Sequence, residues 1–87
     1  MVYVNIPYEI ENDRIEAYVT QRELSALHIS ESAKRDAFAA IYNKRPRGVQ
    51  FDSPSEANLL QRALYRLGVP HRATAEPDYK YDIQGQS

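Results

Sequence analysis

The pattern of apolar and polar residues at the start of the chain predicts a β-hairpin. From Val2 to Ile10, apolar residues alternate with more polar ones, which is the period of a strand with one buried face. After a turn at residues 11–14, a second alternation predicts a return strand that ends at Val19. Pro7 has no amide hydrogen to donate, so we expect the first strand to lie at a sheet edge or to bulge there. Such an edge can pair with a second copy, and a homo-oligomer is therefore one expectation.

Two helices are predicted next, from a cap and from apolar spacing. Thr20 followed by Glu23 matches a capping box, in which two side chains satisfy free backbone amides, and it predicts a helix over residues 21–28. A second helix is predicted over residues 32–42 because apolar residues recur every three or four positions, and it has to end before Pro46. Its predicted buried stripe consists of Ala33, Ala37, Ala40 and Ile41.

The clearest helix of the sequence starts at Ser53 and stops at Gly68. Ser53 is a favourable N-cap, Glu56 completes a second capping box, and Gly68 suits a left-handed C-terminal stop. Short segments at 49–51 and 69–74 predict two further strands. The predicted order is β-β-α-α-β-α-β, which indicates an α+β domain whose helices pack on one face of a small sheet.

Length and composition are those of a small globular domain. With 87 residues, of which 43% are hydrophobic, the chain can bury one core, and we assign residues 1–74 to a compact domain. Residues 75–87 are polar and acidic, and we expect them to form a flexible tail. No segment reaches the roughly 18 apolar residues of a membrane span, and the start shows no basic and apolar leader. We therefore expect no membrane partner and a cytoplasmic location.

Charge is distributed unevenly along the chain, although its net value is −1. Residues 1–31 contain six acidic and two basic residues, whereas residues 43–72 contain six basic and two acidic residues. This asymmetry favours an acidic partner for the basic part or head-to-tail self-association, and the alternative is compensation of the charges within the fold. We select as candidate contacts the basic loop before the strand at 49–51 and the outward positions of helix 53–67. These are Lys44, Arg45, Arg47, Arg62, Tyr65 and Arg66.

Tyrosine is the residue type in clear excess, with seven tyrosines and no tryptophan. Exposed tyrosines provide large and rigid contact area, which suits a protein interface. Tyr79 and Tyr81 in the tail are therefore candidate interface residues. For Tyr3 and Tyr18 there is an alternative, because they would pair across the predicted hairpin and stabilise it without a partner.

The segments "ISESAKRDAF" and "VQFDSPSEANLLQRALYRLGVPHR" are similar to the C-terminal domain of the ribosomal stalk protein in their order of helix, short strand, acid-capped helix and final strand. The resemblance covers about half of the chain and implies a module that docks protein factors. The Gly- and Lys-rich turn of that family is absent, since the corresponding segment is "LHISESAKR", and no functional residue is carried over.

Two other classes of function have weaker support. Residues 20–38 resemble a helix-turn-helix, but the outward residues of its second helix would be Lys34, Arg35 and Asp36, a small set for reading bases. A hydrolase or transferase would need His71 to meet a carboxylate, and the sequence contains no cysteine, no HxxxH spacing and no G-x-S-x-G turn. We therefore expect no catalytic residue, no metal and no cofactor.

The sequence thus predicts a small non-enzymatic binding module that docks on a macromolecular partner, as regulators and inhibitors do. A protein partner is the first expectation. The alternative is nucleic acid or a nucleotide, bound by the basic loop at 44–47 and the exposed face of helix 53–67. Phosphate binding would weaken steeply with salt, whereas a tyrosine-anchored protein interface would not.

Overall fold

The computed structural model describes residues 1–7, 16–42 and 48–76 of the chain. These residues form a three-stranded antiparallel sheet and three helices, which confirms the α+β class. From the first helix onward, the elements follow the predicted order. They are β1 (Val2–Asn5), α1 (Ala17–Ser25), α2 (Glu31–Ile41), β2 (Gly48–Phe51), α3 (Pro54–Leu67) and β3 (Arg72–Thr74).

β1 is the central strand of the sheet. β2 pairs along one side of it, with Val4 opposite Val49, and β3 pairs along the other side. The expected edge position is therefore wrong. β1 ends at Asn5, before Pro7, so the proline removes no hydrogen bond from the ladder. Because residues 3–5 have a partner strand on both sides, they offer no edge to a second copy of the chain.

The helices pack on the face of the sheet that carries Val4, Val49 and Phe51. α3 contacts β1 and β2, α2 contacts β2, and α1 packs against both α2 and α3. Each large apolar side chain that is buried here stabilises the fold by about 1.5–3 kcal/mol. The stripe predicted for α2 is confirmed, since Ala33, Ala37, Ala40 and Ile41 are buried. In α3, Leu60, Ala63 and Leu64 are buried, and Leu67 is partly buried.

α1 takes the place of the end of the predicted hairpin. Residues 17–19 are helical and not part of a strand, while the predicted turn and the first part of the return strand lie outside the described residues. The helical spacing buries Thr20 and Leu24 on the side where α1 packs against α2 and α3. Thr20 and Leu24 are four positions apart, so they would also share one face in a strand. What buries them here is the contact of α1 with α2 and α3. Tertiary packing thus determined that this segment is a helix and not a strand.

Thr20 is not the N-cap of α1, so the capping box predicted there is wrong. The residue lies one turn inside the helix and is fully buried. Its Oγ1 donates a hydrogen bond to the carbonyl oxygen of Glu16 at 3.1 Å and is hydrogen-bonded to Tyr42 Oη at 3.3 Å. A buried threonine in a helix commonly satisfies its hydroxyl by this back-bonding to the preceding turn.

The ends of α2 and α3 are fixed by local side chains. Ser30 Oγ accepts a hydrogen bond from the amide of Ala33 at 3.2 Å, and Ser53 Oγ accepts one from the amide of Glu56 at 3.5 Å. Gly68 ends α3 with a φ of 76°, a conformation that is strained for a residue with a Cβ atom. The cap and the stop predicted for α3 are confirmed.

β3 is held to β1 by side-chain as well as main-chain hydrogen bonds. The side chain of Asn5 is fully buried, and its Nδ2 donates to the carbonyl oxygen of Arg72 at 3.1 Å and to Thr74 Oγ1 at 2.7 Å. The strand is shorter than the predicted 69–74. A three-residue strand contributes few ladder bonds, so the amide of Asn5 is a substantial part of its attachment.

Candidate functional site

One side of α3 is turned away from the core and carries three of the predicted contacts. With 3.6 residues per turn, the apolar stripe of α3 leaves the intervening positions on the solvent side. Arg62, Tyr65 and Arg66 lie there and are exposed, as is Asn58 one turn before Arg62. We call Arg62, Tyr65 and Arg66 the α3 face. Because the opposite side of the helix is packed on the sheet, the backbone that presents this face is fixed.

Tyr65 and Arg62 are both exposed to solvent. The side chain of Tyr65 is 83% exposed, more than that of Tyr18 at 66%. Within the described residues, neither Arg62 nor Tyr65 forms a side-chain hydrogen bond or an ion pair. An aromatic ring in this position leaves a large apolar area in water, and both side chains are free to contact a partner.

Arg66 differs from Arg62 because it has an internal counter-charge. Its Nε and Nη2 both donate to Oε1 of Glu23 in α1, at 3.1 and 3.0 Å. The side chain of Arg66 is 53% exposed and that of Glu23 is 31% exposed, so water screens the pair and its contribution is at most about 1 kcal/mol. The pair nevertheless connects α1 to α3. Compensation within the fold, which was one expectation for the basic residues, applies to Arg66. For Arg62, no counter-charge lies among the described residues.

The remaining predicted contacts lie outside the described residues. These are Lys44, Arg45 and Arg47 of the basic loop and Tyr79 and Tyr81 of the tail. The part of the site that the structure brings together is therefore the α3 face.

α1 carries two exposed residues that are not among the predicted contacts. Tyr18 and Arg22 lie one turn apart on α1, and both side chains are exposed. The predicted pairing of Tyr18 with Tyr3 is wrong, because Tyr3 lies opposite Gln50 in the sheet. The signal for the correct placement was present, since a helix that buries Thr20 turns Tyr18 and Arg22 outward.

The histidines form no catalytic arrangement within the described residues. His28 is exposed, and Nδ1 of the partly buried His71 donates to the carbonyl oxygen of Val69 at 2.9 Å. His71 precedes β3 and is therefore not a strand residue, contrary to the strand predicted over 69–74. In residues 1–7, 16–42 and 48–76, no three His, Cys, Asp or Glu side chains are grouped to hold a metal ion.

A groove of about 500 Å³ lies between α1 and α2, with Phe38 and Arg35 in its lining. Lys34, which the helix-turn-helix interpretation placed outward, is used within the fold. Its Nζ donates to the carbonyl oxygen of Ser25 at 3.1 Å and to Oε1 of Glu31 at 3.4 Å. The set of cations that α2 offers to a nucleic acid is therefore reduced to Arg35.

A second groove, of about 320 Å³, lies where α2 and α3 begin. Its lining includes the hydroxyls of Ser30 and Ser32 and the carboxylates of Asp36, Asp52 and Glu56. Glu56 is in the first turn of α3, where the positive end of the helix dipole favours a carboxylate. The structure thus gives this acidic residue a role in the stability of the fold.

Comparison of the chain with protein-family models, with curated proteins and with solved structures gives no match. The resemblance to the ribosomal stalk domain gains no support from these comparisons. Among the described helices, none has both the length and the apolar character needed to cross a bilayer. Any function has therefore to be argued from the geometry of the described residues.

Proposed function

We propose that this chain is a small binding module that docks on a protein partner through the α3 face. The observation that carries the proposal is the 83% exposure of Tyr65 beside Arg62, which has no partner within the described residues. Tyrosine and arginine are enriched among the residues that dominate binding energy at protein interfaces. An exposed pair of this kind on a fixed helix is what such an anchor requires.

The rigidity of α3 supports the proposal energetically. Binding has to overcome the entropy lost when mobile groups become ordered, about 0.5–1.5 kcal/mol for each flexible side chain. The backbone of α3 is already ordered by its packing on the sheet, and tyrosine has few rotatable bonds. Arg66 is also held in place by Glu23. Little further conformational entropy is therefore lost when the α3 face binds a partner.

Photo-crosslinking tests the proposal without knowledge of the partner. A photoreactive p-benzoylphenylalanine is placed at position 65 and, as a control, at position 35, where Arg35 is exposed on α2. On irradiation in the native cells, we expect a discrete crosslinked protein from position 65 that is absent from position 35. The additional substitution Arg62→Ala should remove that product, because it deletes the neighbouring contact.

Comparison with the control at position 35 shows which results contradict the proposal. If position 65 gives no crosslinked protein, or gives the same set of products as position 35, the α3 face is only a solvated helix surface. If the crosslinked product persists unchanged in the Arg62→Ala variant, Arg62 is not part of the interface.

Binding of nucleic acid through the same face is the second candidate. It is favoured by the position of Arg62 three residues from Tyr65, since arginine binds phosphate and tyrosine stacks on bases. The neutralisation of Arg66 by Glu23 weakens it. Fluorescence anisotropy with a labelled single-stranded oligonucleotide distinguishes the two, because phosphate contacts lose affinity steeply between low and physiological salt. A salt-sensitive complex that Arg62→Ala abolishes would favour nucleic acid.

A further inference from the structure

Two arginines lie one turn apart on the solvent side of α3. Arg62 and Arg66 are four residues apart in a regular helix, so their Cβ atoms are ~5–6 Å apart on one face. Both side chains are exposed, and helix periodicity places Tyr65 beside Arg62 on the side away from Arg66. The two guanidinium groups can therefore contact one ligand without movement of the backbone.

The contact with Glu23 leaves one edge of the Arg66 guanidinium available. A guanidinium binds carboxylates along either of two edges, Nε with Nη2 or Nη1 with Nη2. Oε1 of Glu23 accepts from Nε and Nη2 at 3.1 and 3.0 Å, so it occupies the first edge. Within the described part of the chain, Nη1 of Arg66 forms no hydrogen bond, and the side chain is 53% exposed. The ion pair thus orients Arg66 and leaves its second edge for another carboxylate.

One of the two arginines has no counter-charge. Glu23 balances Arg66, whereas Arg62 forms no ion pair within the described residues. In α3, the other carboxylate is Glu56, which precedes Arg62 by six residues, or ~9 Å along the axis. At the start of α1, the exposed Glu16 precedes Glu23 by seven residues, or ~10 Å. The C-terminal end of α3 adds roughly half a negative charge, which does not cancel a whole positive one.

This balance favours a ligand with one isolated anionic group. A nucleic acid carries a charge at every nucleotide, and its neighbouring phosphates would meet Glu23, where like charges repel. A single carboxylate of a protein side chain places one negative charge opposite the arginine that lacks a counter-charge.

We infer that Arg62 and Arg66 together bind one carboxylate of an aspartate or glutamate in the protein partner. This inference rests on the proposed docking function and adds the chemical group that the α3 face binds. The carboxylate accepts hydrogen bonds from Nη1 and Nη2 of Arg66 and from the guanidinium of Arg62. An apolar residue next to it in the partner covers the exposed ring of Tyr65.

NMR of the arginine side chains tests this site with a defined probe. The full chain, with nitrogen-15-labelled arginine, is titrated at low salt and pH ~6, where glutamates remain ionised, with an acetylated and amidated hexaglutamate peptide. The Nε–H signals of Arg62 and Arg66 should shift to saturation with the same Kd. The matched hexaglutamine peptide should bind at least about fivefold more weakly. The signal of Arg35, an exposed arginine of α2, is the internal control and should shift by less than about half as much.

Substitutions distinguish one shared carboxylate from two independent contacts. Arg62→Gln and Arg66→Gln should each raise the Kd for the hexaglutamate peptide by at least about threefold, and the double variant should raise it by less than the product of the two effects. Arg66→Lys keeps the charge but has no second edge, and it should also raise the Kd by at least about threefold. Arg35→Gln should change it by less than about twofold. All three arginines are exposed, so circular dichroism should show unchanged folding.

Several results would overturn the inference. If the signals of Arg62 and Arg66 shift no more than that of Arg35, the peptide only screens charge and there is no carboxylate site. Effects of the two substitutions that multiply in the double variant would mean two separate contacts. Equal binding of the hexaglutamine peptide, or tighter binding of a single-stranded oligonucleotide titrated in the same way, would exclude a protein carboxylate as the bound group.

Crosslinking from position 65 separates this inference from the function on which it rests. If crosslinking gives a discrete protein but the hexaglutamate peptide does not bind, the docking function stands and the carboxylate site is wrong. If the peptide binds as expected but crosslinking gives no product, the docking function is wrong, although the two arginines do bind an anion.

Discussion

Replacement of Asn5 by alanine removes the side chain that holds β3 to the central strand. The amide of Asn5 is fully buried and donates to the carbonyl oxygen of Arg72 at 3.1 Å and to Thr74 Oγ1 at 2.7 Å. Alanine keeps the strand backbone but leaves both acceptors without this donor. The substitution therefore removes both hydrogen bonds that the amide donates to residues far away in the sequence.

The expected cost follows from the number of bonds and from their burial. A buried polar group that loses its partner costs about 1–3 kcal/mol, and a typical hydrogen bond contributes about 0.5–1.5 kcal/mol net. For two bonds to a fully buried amide we expect a loss of about 2–3 kcal/mol in the free energy of unfolding. In a domain of this size, each kcal/mol lowers Tm by about 4–8 °C, so the expected decrease is about 10–20 °C.

Urea unfolding followed by circular dichroism measures the loss. Gln50→Ala is the matched control, because this exposed amide lies on the neighbouring strand, and it should change the free energy of unfolding by less than about 0.5 kcal/mol. Thr74→Val removes one acceptor, and a double-mutant cycle with Asn5→Ala should give a coupling of about 0.5–1.5 kcal/mol. Amide hydrogen exchange should become faster in β3 before it does so in α3.

Asn5→Asp gives the same site a pH dependence. Burial and the facing carbonyl oxygen of Arg72 disfavour a carboxylate, so the pKa of the introduced carboxyl should be raised above its ordinary value of about 3.9. A raised pKa in the folded state means that the variant is most stable relative to wild type below about 3.9 and loses stability as the pH rises through the folded-state pKa. A cost of Asn5→Ala below about 0.5 kcal/mol, or no coupling to Thr74, would refute this account of the sheet.

Three further predictions concern the helices. Thr20→Val should destabilise the fold by about 1 kcal/mol in urea unfolding, because it removes the hydroxyl that is hydrogen-bonded to Tyr42; an unchanged midpoint would contradict this. Gly68→Ala should cost about 1–2 kcal/mol from its φ of 76° alone, since nothing lies within 4 Å of the added Cβ, and a stabilised variant would show that the residue does not adopt this conformation. A double-mutant cycle of Glu23→Ala and Arg66→Ala should give a coupling below about 1 kcal/mol that decreases in high salt, and a larger, salt-independent value would mean that the pair is essential to the fold.

Local signals in the sequence were sufficient to predict α2, α3 and β2. The cap at Ser53 and the stop at Gly68 act on the backbone within a few residues of themselves, so they work in almost any tertiary context. The apolar stripes of α2 and α3 have the period of a helix over three turns or more, which no strand can use. The same periodicity predicted correctly that Arg62, Tyr65 and Arg66 are exposed.

The tertiary structure decided the features that depend on distant residues. The alternation before Thr20 is short enough to suit either a strand or a helix, and only packing against α2 and α3 selects the helix. The central position of β1 depends on pairing with strands that follow more than 40 residues later, and no local pattern encodes such pairing. The difference between Arg62 and Arg66 likewise comes from Glu23, which is 43 residues from Arg66 in the sequence and within 3.1 Å of it in the fold.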